Sequence, residues 1–203
     1  MKFRVHPSVS HIQAMLANME ERTGMNPDAW ADVARGYGLA EVNALGAKLK
    51  AEHGLGKPTA WLLASYALGE TPEDYDGDAY LARAPELFDA QFSGKKEALR
   101  PLAEKVIAHL TTLGNDVGVS PTKTMVPIYR HHVFAQVKAA TQTRLDVGLA
   151  LGRYDGELSS RIKDTGGALK GDRITHVIGV TADEQIDDDF IGWLRKAYEL
   201  DDK

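Results

Sequence analysis

The stretch Thr141–Leu149 decides the fold of the second half of the chain: it reads Thr-Gln-Thr-Arg-Leu-Asp-Val-Gly-Leu. Its apolar residues alternate with polar or small ones, at Leu145, Val147 and Leu149. This period of two predicts a β-strand with one dry face and one solvated face. Arg144 and Asp146 then share the solvated face, because side chains two positions apart point the same way along a strand.

Similar patterns on both sides of this stretch predict a mostly antiparallel sheet. Further strands are expected over Thr124–Tyr129, over Val133–Val137 and over Ile174–Val180. Pro127 falls inside the first of these and predicts an edge strand, because proline donates no hydrogen bond to a ladder. The last strand carries His176 in its polar part, so a third ionisable group joins Arg144 and Asp146 in the predicted sheet.

The first third of the chain predicts short helices that end at glycines. One helical stripe has Ile12, Met15, Leu16 and Met19. Asn26 is expected to cap another helix, with Pro27 in its first turn. We expect a helical bundle over residues 1–69, an acidic exposed linker over 70–84 and a second domain over 85–203. The predicted fold class is α+β: a small N-terminal helical bundle, then an α+β domain whose mostly antiparallel sheet has helices on one face.

Composition restricts the classes of function. The chain has 203 residues, of which 43% are hydrophobic and 26% charged, as in ordinary soluble globular proteins. A net charge of −5 gives no general attraction to nucleic acid or to an acidic membrane. The lack of cysteine excludes disulfides, thiolate metal sites and a cysteine nucleophile. No apolar run approaches the roughly 20 residues of a membrane helix or resembles a signal peptide, so we expect a cytoplasmic protein without membrane contact.

Several short motifs of the chain resemble those of a known protein family. In the first module they are Glu20–Gly24 and Leu49–Gly56; in the second they are Gly94–Lys96, Leu99–Pro101, Thr141–Leu149 and Thr175-His176. On these motifs nearly the whole chain resembles a bacterial family of two-module proteins of unknown function. The second module is similar to a domain in proteins labelled "predicted transport protein". The resemblance implies a two-module architecture and brings no reaction and no catalytic residues.

The chain departs from this family at two places. Lys57-Pro58 stands where members tend to have a His-Gly pair, and the basic run after the first strand is weakened to Tyr129–His132. Any role of these two segments in the family therefore does not transfer directly to this chain.

The polar face of the predicted sheet is the candidate ligand-binding site. The residues expected there are Lys123, Tyr129, Arg130, Arg144, Asp146 and His176. An arginine beside a histidine suits an anionic ligand such as a phosphate or a carboxylate. An aspartate near a histidine can instead orient it as a general base. The alternative interpretation is a structural ion pair and a hydrogen-bonded core histidine.

Metal and cofactor signals are weak. His131 and His132 are adjacent, so on a strand they point to opposite faces and do not bind one ion together. The acidic residues at 183–189 are explained by the dipole of a following helix, without a metal. Phosphate-loop and hydrolase-elbow motifs do not occur in the sequence. We therefore predict no metal and no cofactor.

Three functions stay open at this point. The first is a non-catalytic protein that binds an anionic small molecule or a protein partner. The second is a hydrolase-type enzyme in which Asp146 orients His176 as the base. The third is nucleic-acid binding, because residues 117–176 carry nine lysines and arginines against five acids; this excess is modest, and no recognised RNA or DNA motif accompanies it. Ligand identity and oligomeric state are not encoded in any pattern of the chain.

Overall fold

The computed structural model describes residues 1–70 and 72–202. Within these ranges the chain forms eight α-helices and a six-stranded sheet, which confirms the predicted α+β class. It divides into two compact units: Val5–Ala82, and Met1–Arg4 together with Arg83–Lys203. Each unit has its own cluster of buried hydrophobic side chains.

The first unit is helical. Its helices are α1 (Pro7–Ala17), α2 (Met19–Thr23), α3 (Pro27–Gly36), α4 (Val42–His53) and α5 (Lys57–Leu68). As predicted, Asn26 caps α3: its side chain accepts a 2.9 Å hydrogen bond from the Ala29 backbone N–H, and Pro27 occupies the first turn. Trp30 is buried and donates its indole N–H to Thr23 Oγ1 at 2.7 Å. The bundle is therefore held by an apolar core in which the indole N–H has a hydrogen-bond partner.

Helix α6 (Gly77–Gln91) lies where the sequence predicts the linker and the start of the second domain. A 3₁₀ turn at Pro72–Asp74 precedes it, and residues from Gly77 onward are helical. Pro85 stands inside this helix instead of at its beginning. The division between the two units falls within α6.

The second unit contains the sheet and two further helices, α7 (Arg100–Thr111) and α8 (Asp188–Leu200). The strands are β1 (Gly118–Val119), β2 (Val126–Tyr129), β3 (Val133–Ala139), β4 (Leu145–Leu149), β5 (Lys163–Asp164) and β6 (His176–Val180). Their order is β1-β2-β3-β4-β6-β5, and every pair of neighbours is antiparallel. None of the described helices is long and apolar enough to cross a lipid bilayer.

Strand β2 is not at the edge of the sheet, so the prediction from Pro127 is wrong. The short β1 pairs with it through Gly118 and Val119. The Pro127 carbonyl accepts a 3.1 Å hydrogen bond from the Ser120 backbone N–H on that side. The N–H and C=O of a strand residue point to the same neighbour, so the missing donor of Pro127 faces the side on which β1 has already ended. Proline is tolerated here because the neighbouring strand is only two residues long.

Helices α7 and α8 cover one face of the sheet. Leu145, Val147 and Leu149 of β4 are fully buried. They belong to one core cluster with apolar residues of both helices, including Leu102, Val106, Leu110, Phe190 and Leu194. Burying each large aliphatic side chain contributes about 1.5–3 kcal/mol, and a shift of one residue would turn all three β4 side chains outward. The packing of β4 therefore fixes which of its residues face away from the helices.

Candidate functional site

The face of the sheet that points away from this core carries the polar residues of the central strands. Residues directly opposite each other on antiparallel strands share a face. Lys138 pairs with Asp146, and Asp146 pairs with Gly179. We call this surface the open face; its members are Gln136, Lys138, Arg144, Asp146, Gly148, Lys163, Val177 and Gly179.

Arg144 and Asp146 form an ion pair on the open face. Arg144 Nε donates to Asp146 Oδ1 at 2.8 Å, and Nη2 donates to Oδ2 at 3.4 Å. Their side chains are 47% and 30% exposed, so water and solutes reach both. Both residues therefore lie where a ligand from solution can contact them.

Gly179 makes room for this ion pair. It lies directly opposite Asp146, and a Cβ atom at its position would be 3.1 Å from Arg144 Cδ. The Arg144 side chain thus lies across the backbone of β6, where a larger residue would push it away. Gly148 makes room for two other side chains, because its missing Cβ would be 2.6 Å from Ile174 Cγ2 and 2.8 Å from Gln136 Cγ. Side chains therefore lie close above the backbone at both glycines.

Two lysines add positive charge to the open face. Lys138 lies opposite Asp146, and Lys163 lies opposite Val177 on β6. Both lysines are exposed, and among residues 1–70 and 72–202 neither forms an ion pair or a side-chain hydrogen bond. With Arg144, the face carries three cations around the single carboxylate of Asp146.

His176 does not join Arg144 and Asp146, in contrast to the predicted convergence. It pairs with Leu149 and lies two and four positions from the buried Ile178 and Val180. It therefore points to the face that the helices cover, because these positions share one face of β6. Its Nδ1 lies 2.8 Å from Thr175 Oγ1. The Asp–His pair of the predicted hydrolase does not form in this arrangement.

The other predicted site residues are also separate from Arg144. Arg130 and Tyr129 lie at the end of β2 next to the β2–β3 turn, whereas Arg144 follows the β3–β4 turn. The seven residues of β3 separate the two turns, which corresponds to roughly 20 Å. Lys123 is exposed in the connection between β1 and β2. The structure thus brings together Arg144 and Asp146 of the predicted set, and it adds Lys138 and Lys163.

The Arg130 side chain is engaged in contacts within the second unit. Its Nε donates to Asp116 Oδ2 at 2.9 Å, and its guanidinium carbon lies 4.3 Å from the centroid of the Tyr198 ring. The hydrogen bond from Arg130 lowers the pKa of the Asp116 carboxyl, assisted by a hydrogen bond from the Tyr198 hydroxyl. Burial raises the pKa of the Tyr129 hydroxyl. Arg130 therefore links the β2–β3 turn to α8.

A buried carboxylate that the sequence reasoning missed lies at the end of α8. The side chain of Asp201 is 0% exposed. Its Oδ2 accepts hydrogen bonds from the backbone N–H groups of His131 at 3.0 Å and His132 at 2.9 Å. Its Oδ1 lies 3.1 Å from His132 Nδ1 and forms an ion pair with Arg173. This network fastens the β2–β3 turn and the β5–β6 connection to the end of α8.

The sequence does hold a signal for Asp201. The buried stripe of α8 has Phe190, Leu194 and Ala197, and Asp201 is the next position at the same helical spacing. A carboxylate in line with an apolar stripe indicates a buried acid that needs partners. His131 and His132, to which the sequence analysis assigns no metal, are exposed, and Asp201 accepts hydrogen bonds from their backbone N–H groups.

A cleft of about 740 Å³ lies beside the N-terminal segment of the same unit. Arg4 lines it, and the Arg4 guanidinium donates to the backbone carbonyls of Asn115 at 2.8 Å and Asp116 at 2.7 Å. Through these hydrogen bonds, Arg4 fastens the N-terminal segment to the backbone of residues 115 and 116. Lys2 and Glu104 also line this cleft, and it contains none of the residues that the sequence predicts for the site.

The part of the chain that the structure describes contains no group of three histidine, aspartate or glutamate side chains able to hold a metal ion. The charged groups of the open face are three cations and one carboxylate, a set that suits hydrogen bonds to anionic oxygens.

Comparison with known proteins gives two matches to family models. Residues 88–201, more than half of the chain, match a domain of unknown function, DUF5655. Residues 11–69 match a second domain of unknown function, DUF4287. These matches fit the two-module architecture expected from the sequence motifs. Neither a curated protein nor a solved structure matches the chain.

Proposed function

The chain belongs to the DUF5655 family, whose function is unknown, and we propose that it is a non-catalytic binding protein whose open face binds an anionic ligand or an acidic partner. The charge distribution of the open face carries this proposal. Lys138, Arg144 and Lys163 place three cations around the single carboxylate of Asp146.

The chemistry of these groups suits anionic oxygens. A guanidinium presents its N–H donors in a planar fork that matches a carboxylate or a phosphate, and a lysine adds a point charge. The chain as a whole has a net charge of −5, so a cluster of cations on one face is a local feature and not a consequence of composition. An anion therefore finds more favourable contacts here than elsewhere on an acidic surface.

The two alternatives have less support. A hydrolase needs Asp146 within hydrogen-bond reach of His176, and these residues lie on opposite faces of the sheet. A nucleic-acid platform uses aromatic side chains for stacking, and the members of the open face include none. As part of the same proposal, we place the protein in the cytoplasm of a bacterium.

Binding of fluorescein-labelled hexaglutamate, followed by fluorescence anisotropy, tests the proposal. We expect the wild-type protein to bind the peptide more tightly at low than at physiological ionic strength. Arg144→Ala should weaken binding about tenfold, since it removes a charge-assisted pair of hydrogen bonds. The matched control is Arg153→Ala, which removes an equal charge that is 59% exposed in the loop after β4.

Arg153→Ala is expected to bind the peptide like the wild type. The proposal fails if the wild-type protein binds neither hexaglutamate nor inorganic phosphate. It also fails if the Arg144 and Arg153 variants lose equal affinity, because the binding then follows net charge and not the open face.

A further inference from the structure

Arg144 already holds a carboxylate in the free protein. Two of its guanidinium nitrogens donate to the two oxygens of Asp146, at 2.8 and 3.4 Å. Any anion that binds Arg144 through the same fork must therefore displace Asp146. The ion pair is exposed enough for such an exchange, with side-chain exposures of 47% and 30%.

Lys138 is placed to receive Asp146 after this displacement. It lies directly opposite Asp146 on β3, and the Cβ atoms of such pairs are about 4.5–5.5 Å apart. Lys138 forms no ion pair with any residue that the structure describes. A displaced Asp146 carboxylate thus finds a new cation on the neighbouring strand without leaving the open face.

We infer that Asp146 is a built-in competitor, which occupies Arg144 in the free protein and moves to Lys138 when an acidic side chain of a polypeptide partner takes its place. This inference rests on the proposed function of the open face. The free state has one ion pair, Arg144–Asp146. The bound state has two, because the partner's carboxylate pairs with Arg144 while Asp146 pairs with Lys138. The exchange gives Lys138 a partner that it lacks in the free protein, and the Asp146 carboxylate keeps a cation beside it in both states.

The observations favour a polypeptide carboxylate as the occupant. The group that Arg144 holds in the structure is itself a carboxylate on a flexible polypeptide side chain, so the fork has the geometry for that ligand. Lys163 lies on β5, next to β6 and away from Lys138, so it remains available for a second acidic side chain of the same segment.

A double-mutant cycle tests the exchange, with labelled hexaglutamate as the probe. Asp146→Asn removes the competitor and should tighten binding roughly two- to fivefold, the range expected for breaking an exposed ion pair. Lys138→Ala should weaken binding by a similar factor, since Asp146 then has no cation to receive it. In the Asp146→Asn background, Lys138→Ala should change the affinity by less than about 1.5-fold, because there is no carboxylate left to relocate.

Lys163→Ala is the matched control, since it removes the same charge from the same face but lies opposite Val177 instead of Asp146. Lys163→Ala should change the affinity for the peptide by the same factor in the wild-type and in the Asp146→Asn protein. The exchange is overturned if Lys138→Ala costs the same affinity with and without Asp146, because Lys138 then contacts the peptide itself. It is also overturned if Asp146→Asn weakens binding.

Competition distinguishes the class of ligand. Unlabelled hexaglutamate should displace the probe at concentrations at which inorganic phosphate does not; equal displacement by phosphate contradicts a polypeptide partner. Failure of the proposed function has a different signature, since the wild type then does not bind or Arg144→Ala has no effect. Failure of the exchange alone leaves the Arg144 effect intact and removes the coupling between Lys138 and Asp146.

Discussion

Replacing Asp201 by alanine should destabilise the second unit by several kcal/mol. The buried Asp201 carboxylate accepts hydrogen bonds from the backbone N–H groups of His131 and His132 and pairs with Arg173. Alanine removes both acceptor oxygens at once. The β2–β3 turn then loses one of its two connections to α8 and keeps the one through Arg130, and two backbone donors lose their partner.

The size of this loss in stability depends on how far water reaches the hydrogen-bond and ion-pair partners of Asp201. Removing one member of a wholly buried ion pair costs about 3–5 kcal/mol. Here the Arg173 and His132 side chains are 37% and 58% exposed, so water solvates them after the change. Each backbone N–H left without an acceptor costs about 1–3 kcal/mol, with the lower values where water enters. The free energy of unfolding should therefore fall by about 2–4 kcal/mol.

Urea unfolding of the full chain, followed by the amide NMR signals of β3 and β4, measures this loss in the unit concerned. Asp202→Ala is the matched control, since its side chain is 72% exposed and pairs with Arg153 at 3.5 Å. It should change the free energy by less than about 0.5 kcal/mol. An Asp201→Ala protein within about 1 kcal/mol of the wild type would refute the reasoning, because the network then contributes no more than a single ordinary hydrogen bond.

Three smaller predictions concern two glycines and one acid. Gly148→Ala should lower the free energy of unfolding by about 1–3 kcal/mol, because its Cβ would lie 2.6 Å from Ile174 Cγ2; an unchanged urea midpoint contradicts this. Gly192→Ala, in α8 with no atom within 4 Å of the new Cβ, should raise it by about 0.4–1 kcal/mol, and a loss of stability argues against a relaxed helix there. A backbone N–H in the first turn of α8, and next Arg161, lower the pKa of Asp187. Its contribution to stability is thus present above the unfolded pKa of about 3.9 and disappears as the pH falls through the lower folded value. The melting temperatures of the wild type and Asp187→Ala should therefore differ at neutral pH and converge toward pH 2; a constant difference contradicts the assignment.

The sequence predicts the two faces of β4 because alternation within one strand needs only local information. Leu145, Val147 and Leu149 are buried, and Arg144 and Asp146 form their ion pair on the other side of the strand. The contribution of Lys138 was not predictable in the same way. Its position opposite Asp146 depends on the register between β3 and β4, and a single sequence does not encode which residues face each other across strands.

The alternation along β6 could have predicted the face on which His176 lies. His176, Ile178 and Val180 are two positions apart, so the period-two rule already puts the histidine on the face of the buried aliphatics. The expectation that His176 lies beside Arg144 and Asp146 on the polar face did not follow this alternation. Asp201 is a comparable case in a helix, since it continues the spacing of the apolar stripe of α8.

The two shortest strands cannot be predicted from an alternating sequence pattern. Strands β1 and β5 have two residues each, and two residues show no alternation. Strand β5 falls between Leu149 and Ile174, where no strand is predicted, and its pairing depends on contacts with His176 and Val177 of β6. The boundaries of α6 were obscured by Pro85, which is tolerated inside that helix although proline usually marks a beginning.

Amide chemical-shift mapping on the full chain during titration with unlabelled hexaglutamate tests the binding role of the open face most directly. We predict that the largest shifts occur at Lys138, at residues 144–148 and at Gly179, with little change on the helix-covered face. Shifts confined to the loop around Arg153, or an unchanged spectrum at saturating peptide, would contradict the account.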